Sequence, residues 1–160
     1  MTNDHLKSIG THHDQVWQGS PWYGSAVMNG LSDITLLEAS GRIANQHTIA
    51  EILNHMTQWK KFAFEKLRGN AGYDIQVDSH ADWIMLNDLD EAAWEHIKKQ
   101  YGQVTKDLLT EIPNHPDEIL GEQVSGRKYT YRELMEGITE HDIYHLGQIM
   151  LLKKIMRDEI

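Results

Sequence analysis

Apolar residues recur every three or four positions along most of this chain, and the recurrence breaks in only a few places. A first helix is predicted over roughly Asp4–Gln18, where Leu6, Ile9, His13, Val16 and Trp17 fall at helical spacing. The segment GSPWYG at 19–24 ends it, and a shorter helical stretch runs through Val27, Met28 and Leu31. TIAE, beginning at Thr48, is a capping-box pattern, with Thr48 at the N-cap and Glu51 three residues on. The helix it opens carries Ile52, Met56, Trp59, Phe62 and Leu67, and Gly69 is placed to close it. Residues 70–87 lose the periodicity and read as a crossover, with Trp83 among the residues that would pin it down. Asp88 or Asp90 starts the next helix, which carries Ile97, Tyr101, Val104 and Leu108 and stops at IPNHP, 112–116. A second long connection, 114–129, leads to TYRE at 130–133, another capping box, with Tyr129 and Leu134 placed as a hydrophobic staple. From there Leu134, Ile138, Leu146, Ile149 and Leu152 continue toward the C-terminus.

Four main helices, a short extra helix near the N-terminus and two long connections predict an all-α chain, most economically a four-helix bundle. The long connections permit parallel as well as antiparallel neighbours. No repeat or interdomain linker divides residues 1–160, so a single domain is expected.

Composition narrows the chemistry. A formal charge of −9 disfavours a broad nucleic-acid or anionic-membrane surface. The absence of cysteine excludes disulfides, thiolate metal sites and cysteine nucleophiles, so any thiol chemistry needs a thiol from solution. MTNDHLKSIG holds no apolar signal segment and no run has the length of a membrane span, so a cytoplasmic protein is the expectation.

The ten histidines are distributed unevenly. In HDIYH, 141–145, two of them lie four apart on one helix face, within the stripe 134, 138, 141, 145, 149, 152. His55 continues the apolar face of Ile52, Met56, Trp59 and Phe62 on the other capped helix. If the two helices meet at that depth, three neutral imidazoles converge and leave coordination positions open. Such a donor set suits Zn, Ni, Fe(II), Mn or Co. The competing interpretation is a polar pair satisfied inside a packed core.

These residues also carry a resemblance. HDIYHLGQI at 141–149, EILNHMTQW at 51–59, PWYG near the first helix and GRKYTYRELMEGITEHDIYH leading into the last helix resemble the DinB/YfiT-like superfamily of metal-binding helical proteins. The resemblance implies His55, His141 and His145 as ligands of one divalent ion and an up-down-down-up bundle that is often a homodimer. It further implies activity as a metal-dependent hydrolase or as a transferase or isomerase using a thiol such as bacillithiol or mycothiol.

Around the ligands, Glu51 has two roles open to it, capping its helix or orienting His55. Asp142 is expected to be an exposed charge or a partner for a neighbouring helix, and Gly147 to permit a close helix approach. His12 and His13 have two readings open, ordinary helix-surface histidines or residues at the mouth of the same cavity, and Tyr144 lies beside the ligands. His12, His13, Glu51 and Tyr144 are therefore the candidate acids or bases. The five tryptophans are expected to be core and crossover anchors rather than a cofactor box. Rival motifs are absent. The positions three before His55, His141 and His145 are Ile52, Ile138 and Asp142, so no Glu-x-x-His di-iron motif forms, and neither HExxH nor a Gly-rich phosphate loop occurs.

Two kinds of turnover follow from such a site, attack by activated water or by an external thiol on a small electrophile, with a non-catalytic metal-stabilised or metal-sensing bundle as the alternative. An open coordination position beside a cavity of roughly 300 Å³ or more favours catalysis, whereas a fourth protein ligand and no cavity favour a structural site. A two-fold homodimer through WQGSPWYG and the outer faces of the first and last helices is expected.

Overall fold

In the computed structural model, which describes residues 3–158, the capping boxes predicted at Thr48 and Thr130 both form. The helices are α1 (Asp4–Gln18), α2 (Val27–Leu31), α3 (Leu36–Ser40), α4 (Ile49–Leu67), α5 (Glu91–Glu111) and α6 (Tyr131–Asp158). At α4 the Glu51 amide donates to Thr48 Oγ1 over 3.2 Å and the Thr48 amide to Glu51 Oε2 over 3.0 Å. Thr130 and Glu133 do the same for α6. Gly69, with φ of +80°, closes α4. The Gly69 amide returns to the Lys66 carbonyl and the Asn70 amide to that of Glu65, a Schellman ending that a side chain with Cβ would strain.

Of the two starts open for α5, Asp90 is the cap, through a 2.7 Å bond from the Ala93 amide. Other expectations are corrected. Helix α3 was not anticipated, although its capping box, Thr35 with Glu38, is present in the sequence. Trp22 is no anchor, being 97% exposed, whereas Trp94 is buried with its indole N–H on the Ile34 carbonyl. The close approach expected at Gly147 occurs at Gly30 instead. A Cβ on Gly30 would come 3.0 Å from Leu146 and 3.2 Å from Met150, while one on Gly147 would meet nothing.

Among the described residues there is no β-strand, only an isolated antiparallel bridge between Gln123 and Thr130. No described helix is long and apolar enough to cross a membrane. Helix α4 packs against α5 and α6, and α1 against α5 and α6. Two apolar clusters fill the interior. One gathers Val16, Met56, Ile97, Leu146 and their neighbours, and the other gathers Leu6, Phe62, Leu108, Ile138 and theirs. Where the two clusters meet, the long helices bury polar side chains, among them His13 on α1, Lys60 on α4, Tyr101 on α5 and Asp142 on α6.

Candidate metal centre

The α4–α6 seam brings His55, His141 and His145 together, with the 70–87 crossover folded over them. His55 Nε2 lies 3.0 Å from His141 Nε2, which lies 3.1 Å from His145 Nε2. The edge of a tetrahedron with metal–nitrogen bonds of about 2.05 Å is about 3.3 Å, so the spacing is close to that of donors sharing one ion. Among the described residues this is the group of three such donors able to hold a metal, and no carboxylate joins it as a fourth.

The outer ring nitrogens decide which nitrogens face inward. His55 Nδ1 is 2.6 Å from Asp82 Oδ1, and His145 Nδ1 is 2.6 Å from Gln148 Oε1. Both acceptors require a proton on Nδ1, which leaves Nε2 of each ring with a lone pair pointing at His141. His141 Nε2 can donate to only one of them, and its own Nδ1 is buried without a partner. Without a cation, the cluster therefore leaves at least one inward lone pair without a donor and one orphaned buried nitrogen. A divalent ion would relieve the inward mismatch, and in this sense the residues fit one. Burial, reinforced by the neighbouring histidines, pushes His141 down to about 3, and burial pushes His145 down to about 4. Burial also lowers His55, with Asp82 opposing it. All three are thus neutral donors at physiological pH.

Asp82 is the residue the sequence reading missed. It is buried, and it also accepts from Trp59 Nε1 at 2.7 Å and from the Asp78 amide at 2.8 Å. Its position in an aperiodic crossover, 27 residues from His55, gave no spacing signal. Glu51 does not orient His55. Its carboxylate caps α4, accepts from Arg42 at 2.5 Å and from the Leu86 amide at 3.2 Å, and lies 3.4 Å from His47. Because Asp82 fixes the His55 ring, Asp82→Asn is expected to weaken cobalt binding by about tenfold, measured by competition with a chromogenic chelator.

Trp83 does more than anchor the crossover. Its indole is sandwiched between His55 and His47, with ring centroids 3.8 Å apart on each side. A cavity of about 750 Å³ opens beside this stack and reaches His55 and His145, with Ile52, Val77, Leu152 and Ile155 on its wall and Tyr144 and His47 at its polar edge. A smaller one of about 330 Å³, bordered by Trp59 and Ile138, reaches His141. Tyr144 is exposed and sits edge-on to His145, 4.9 Å between centroids.

His12 and His13 do not reach the mouth of this cavity. His12 is exposed on the far side of α6, beside Glu136 and Glu140. His13 is buried, with Nδ1 2.9 Å from Thr139 Oγ1 and Nε2 2.9 Å from Lys60 Nζ, and burial takes it down to about 3. Asp142 is not an exposed charge. It is fully buried, pairs with Lys60 and accepts from Tyr101 Oη at 2.9 Å.

The family model of the DinB superfamily matches residues 25–149, which covers α2 through most of α6 and all three histidines. The chain belongs to the DinB superfamily. No curated protein and no solved structure matches it significantly. Membership and the three-histidine cluster agree in being compatible with a metal site in this DinB chain.

Proposed function

We propose that this DinB protein is a metal-dependent enzyme in which His55, His141 and His145 hold one divalent ion, Zn, Ni, Fe or Mn, and the adjoining cavity admits a small electrophilic substrate. The observation that carries this reading is the convergence of three neutral Nε2 donors beside a cavity of about 750 Å³, with no fourth protein donor among the described residues. A bound divalent ion supplies Lewis-acid activation of water or of a thiol from solution, lowering its pKa toward neutrality. Asp82 and Gln148 hold the protons on the outer ring nitrogens, and Trp83 shields one face of His55 from water. The apolar wall binds the body of the substrate. That wall carries no lysine or arginine among the described residues, which favours an uncharged electrophile. An anionic thiol would find no cationic partner there, so water is the nucleophile we favour over a bacillithiol-type thiol. Tyr144 is the candidate acid or base nearest the site.

The four long helices are read as one up-down-down-up bundle domain. Support comes from His55 facing His145 at one end of the α4–α6 pair while Tyr131 Oη donates to the Lys66 carbonyl at the other. Gly10 of α1 lies against Ile112 beyond the C-terminal end of α5, and Met56 with Ile97, then Leu67 with Leu108, share the two cores in order. A two-fold homodimer is assigned to the exposed Trp22 and the outer faces of α1 and α6.

Elemental analysis of protein purified without an affinity tag or chelator tests the site. About one divalent ion per chain is expected in the parent and none in His145→Ala. No metal in either, even after anaerobic addition of divalent ions, would sink the reading. Cobalt-loaded protein then separates catalysis from a purely stabilising or sensing role. A visible spectrum that shifts on adding azide or 2-mercaptoethanol reports an open position, and one that does not move favours the non-catalytic alternative.

A further inference from the structure

His13, Lys60, Tyr101 and Asp142 come one from each of the four long helices and meet at a single point, all at most 1% exposed. Lys60 Nζ donates to Asp142 Oδ2, to Tyr101 Oη at 3.1 Å and to His13 Nε2 at 2.9 Å. Tyr101 donates its own proton to Asp142, and His13 passes the chain on to Thr139 of α6. The donors run in one consistent direction, so each bond constrains the next.

Stability is a poor explanation for this cluster. Desolvating a lysine and a carboxylate offsets much of their attraction, and apolar replacements of such pairs are often neutral or stabilising. Catalysis is a poor explanation too, because neither cavity that reaches the histidines is lined by any of the four. What the cluster does supply is direction. Apolar burial is non-directional, and the long stripe of α6 tolerates small rotations. With the side chains at a radius of about 6 Å, a 20° turn of the helix moves them by about 2 Å. A metal site needs its donors held to within about 0.5 Å. Asp142 is the immediate neighbour of His141, so pinning its carboxylate sets the angle at which both α6 histidines face α4.

We propose that this four-helix polar node is the positioning device of the metal centre, fixing the rotation of α6 so that His141 and His145 meet His55. The inference rests on the metal-site reading above and concerns residues that would touch neither ion nor substrate.

The test is cobalt titration of the untagged full chain, with the visible spectrum as a second readout and circular dichroism as a check of folding. Lys60→Met/Asp142→Leu, which removes both charges together but leaves the Tyr101 hydroxyl and His13 Nε2 without these partners, is expected to fold with a urea midpoint below that of the metal-free parent. It is also expected to bind cobalt at least about tenfold more weakly, with an altered spectrum, as residues orienting metal ligands do. Tyr101→Phe, which leaves the ion pair intact, should show the same spectral change with a smaller loss of affinity. A folded double variant with the parent's cobalt affinity and spectrum overturns the inference while leaving the metal site standing. A double variant that fails to fold also overturns it, since the node then holds the fold rather than the angle. A parent that takes up no cobalt removes the metal reading and this inference together.

Discussion

His141→Leu is expected to lose divalent-metal uptake entirely and yet to leave the metal-free protein about as stable as the parent, within about 1 kcal/mol. The first half follows from donor count, because two histidines on separate helices hold a divalent ion far less tightly than three. The second follows from the hydrogen bonding. Asp82 and Gln148 turn two lone pairs toward His141, whose Nε2 can answer only one, while its Nδ1 is buried and unpartnered. In the parent one inward lone pair and His141 Nδ1 go unanswered, and in the variant both inward lone pairs do, so the number of unmade contacts is unchanged while one hydrogen bond is exchanged for apolar packing. Leucine also finds apolar neighbours in Trp59, Leu134 and Ile138. Chemical denaturation with a chelator present measures the metal-free pair. Excess zinc then separates the two, since an ion at a thousand times its dissociation constant adds about 4 kcal/mol to the parent and nothing to the variant. A variant that still takes up one ion per chain, or whose metal-free form is weaker than the parent by more than about 1 kcal/mol, would show that the imidazoles are packing partners and not frustrated ligands.

The sequence exposed the parts of this arrangement that obey local rules. Capping boxes at Thr48 and Thr130 are read from four consecutive residues, and both form. The i, i+4 spacing of His141 and His145 requires only that α6 be a helix. Their meeting with His55 depends on how α4 and α6 pack, which periodicity left open and the family resemblance supplied. Asp82 was out of reach because a crossover has no period, and its partner lies on another element. Asp142, open between an exposed charge and a partner for a neighbouring helix, is the latter, and the choice was legible, since Met135, Ile138, Asp142, Leu146 and Ile149 form a 3-4-4-3 buried series. Lys60 likewise stands in the series Met56, Lys60, Ala63, Leu67. A lysine and an aspartate each occupying a core position on different helices was a legible signal, because the cheapest way to bury either is against the other. His13 was correctly set on the apolar face of α1, but neither reading open to it, helix surface or cavity mouth, placed it, since a helix wheel gives the face and not the neighbour it meets.

In metal-free protein, stability is expected to drop by on the order of 5 kcal/mol between pH 7 and pH 5, before any carboxylate of the fold is protonated. Three histidines set this window. His13 and His141 are held down to about 3 and His145 to about 4, all chiefly by burial, against 6.5 in the unfolded chain. Between those values the unfolded chain binds protons that the native state refuses, so stability is full above 6.5 and falls as the pH drops below it. At pH 5 each histidine contributes a loss of about 2 kcal/mol, at 1.36 kcal/mol per pH unit. The loss stops growing only below the native values. Glu38, held low by Arg157, and Glu51, held low by Arg42 and the helix cap, add their own losses only as the pH falls through 4.5 and below. The interval from 6.5 to 5 therefore belongs to histidine. Urea denaturation at pH 7, 6 and 5 in the presence of a chelator measures the slope, and His13→Gln, which keeps an acceptor for Lys60 and a donor for Thr139, should remove about one proton's share of it. A parent whose stability stays within about 1 kcal/mol across that range would mean that the interior admits imidazolium, and that the histidines face water more freely than their packing indicates. A loss of the expected size would mean that a domain of ordinary stability, about 5–15 kcal/mol, gives up a large part of it to keep three imidazoles neutral, a cost that metal ligation requires of His141 and His145 and that His13 bears as the acceptor of Lys60.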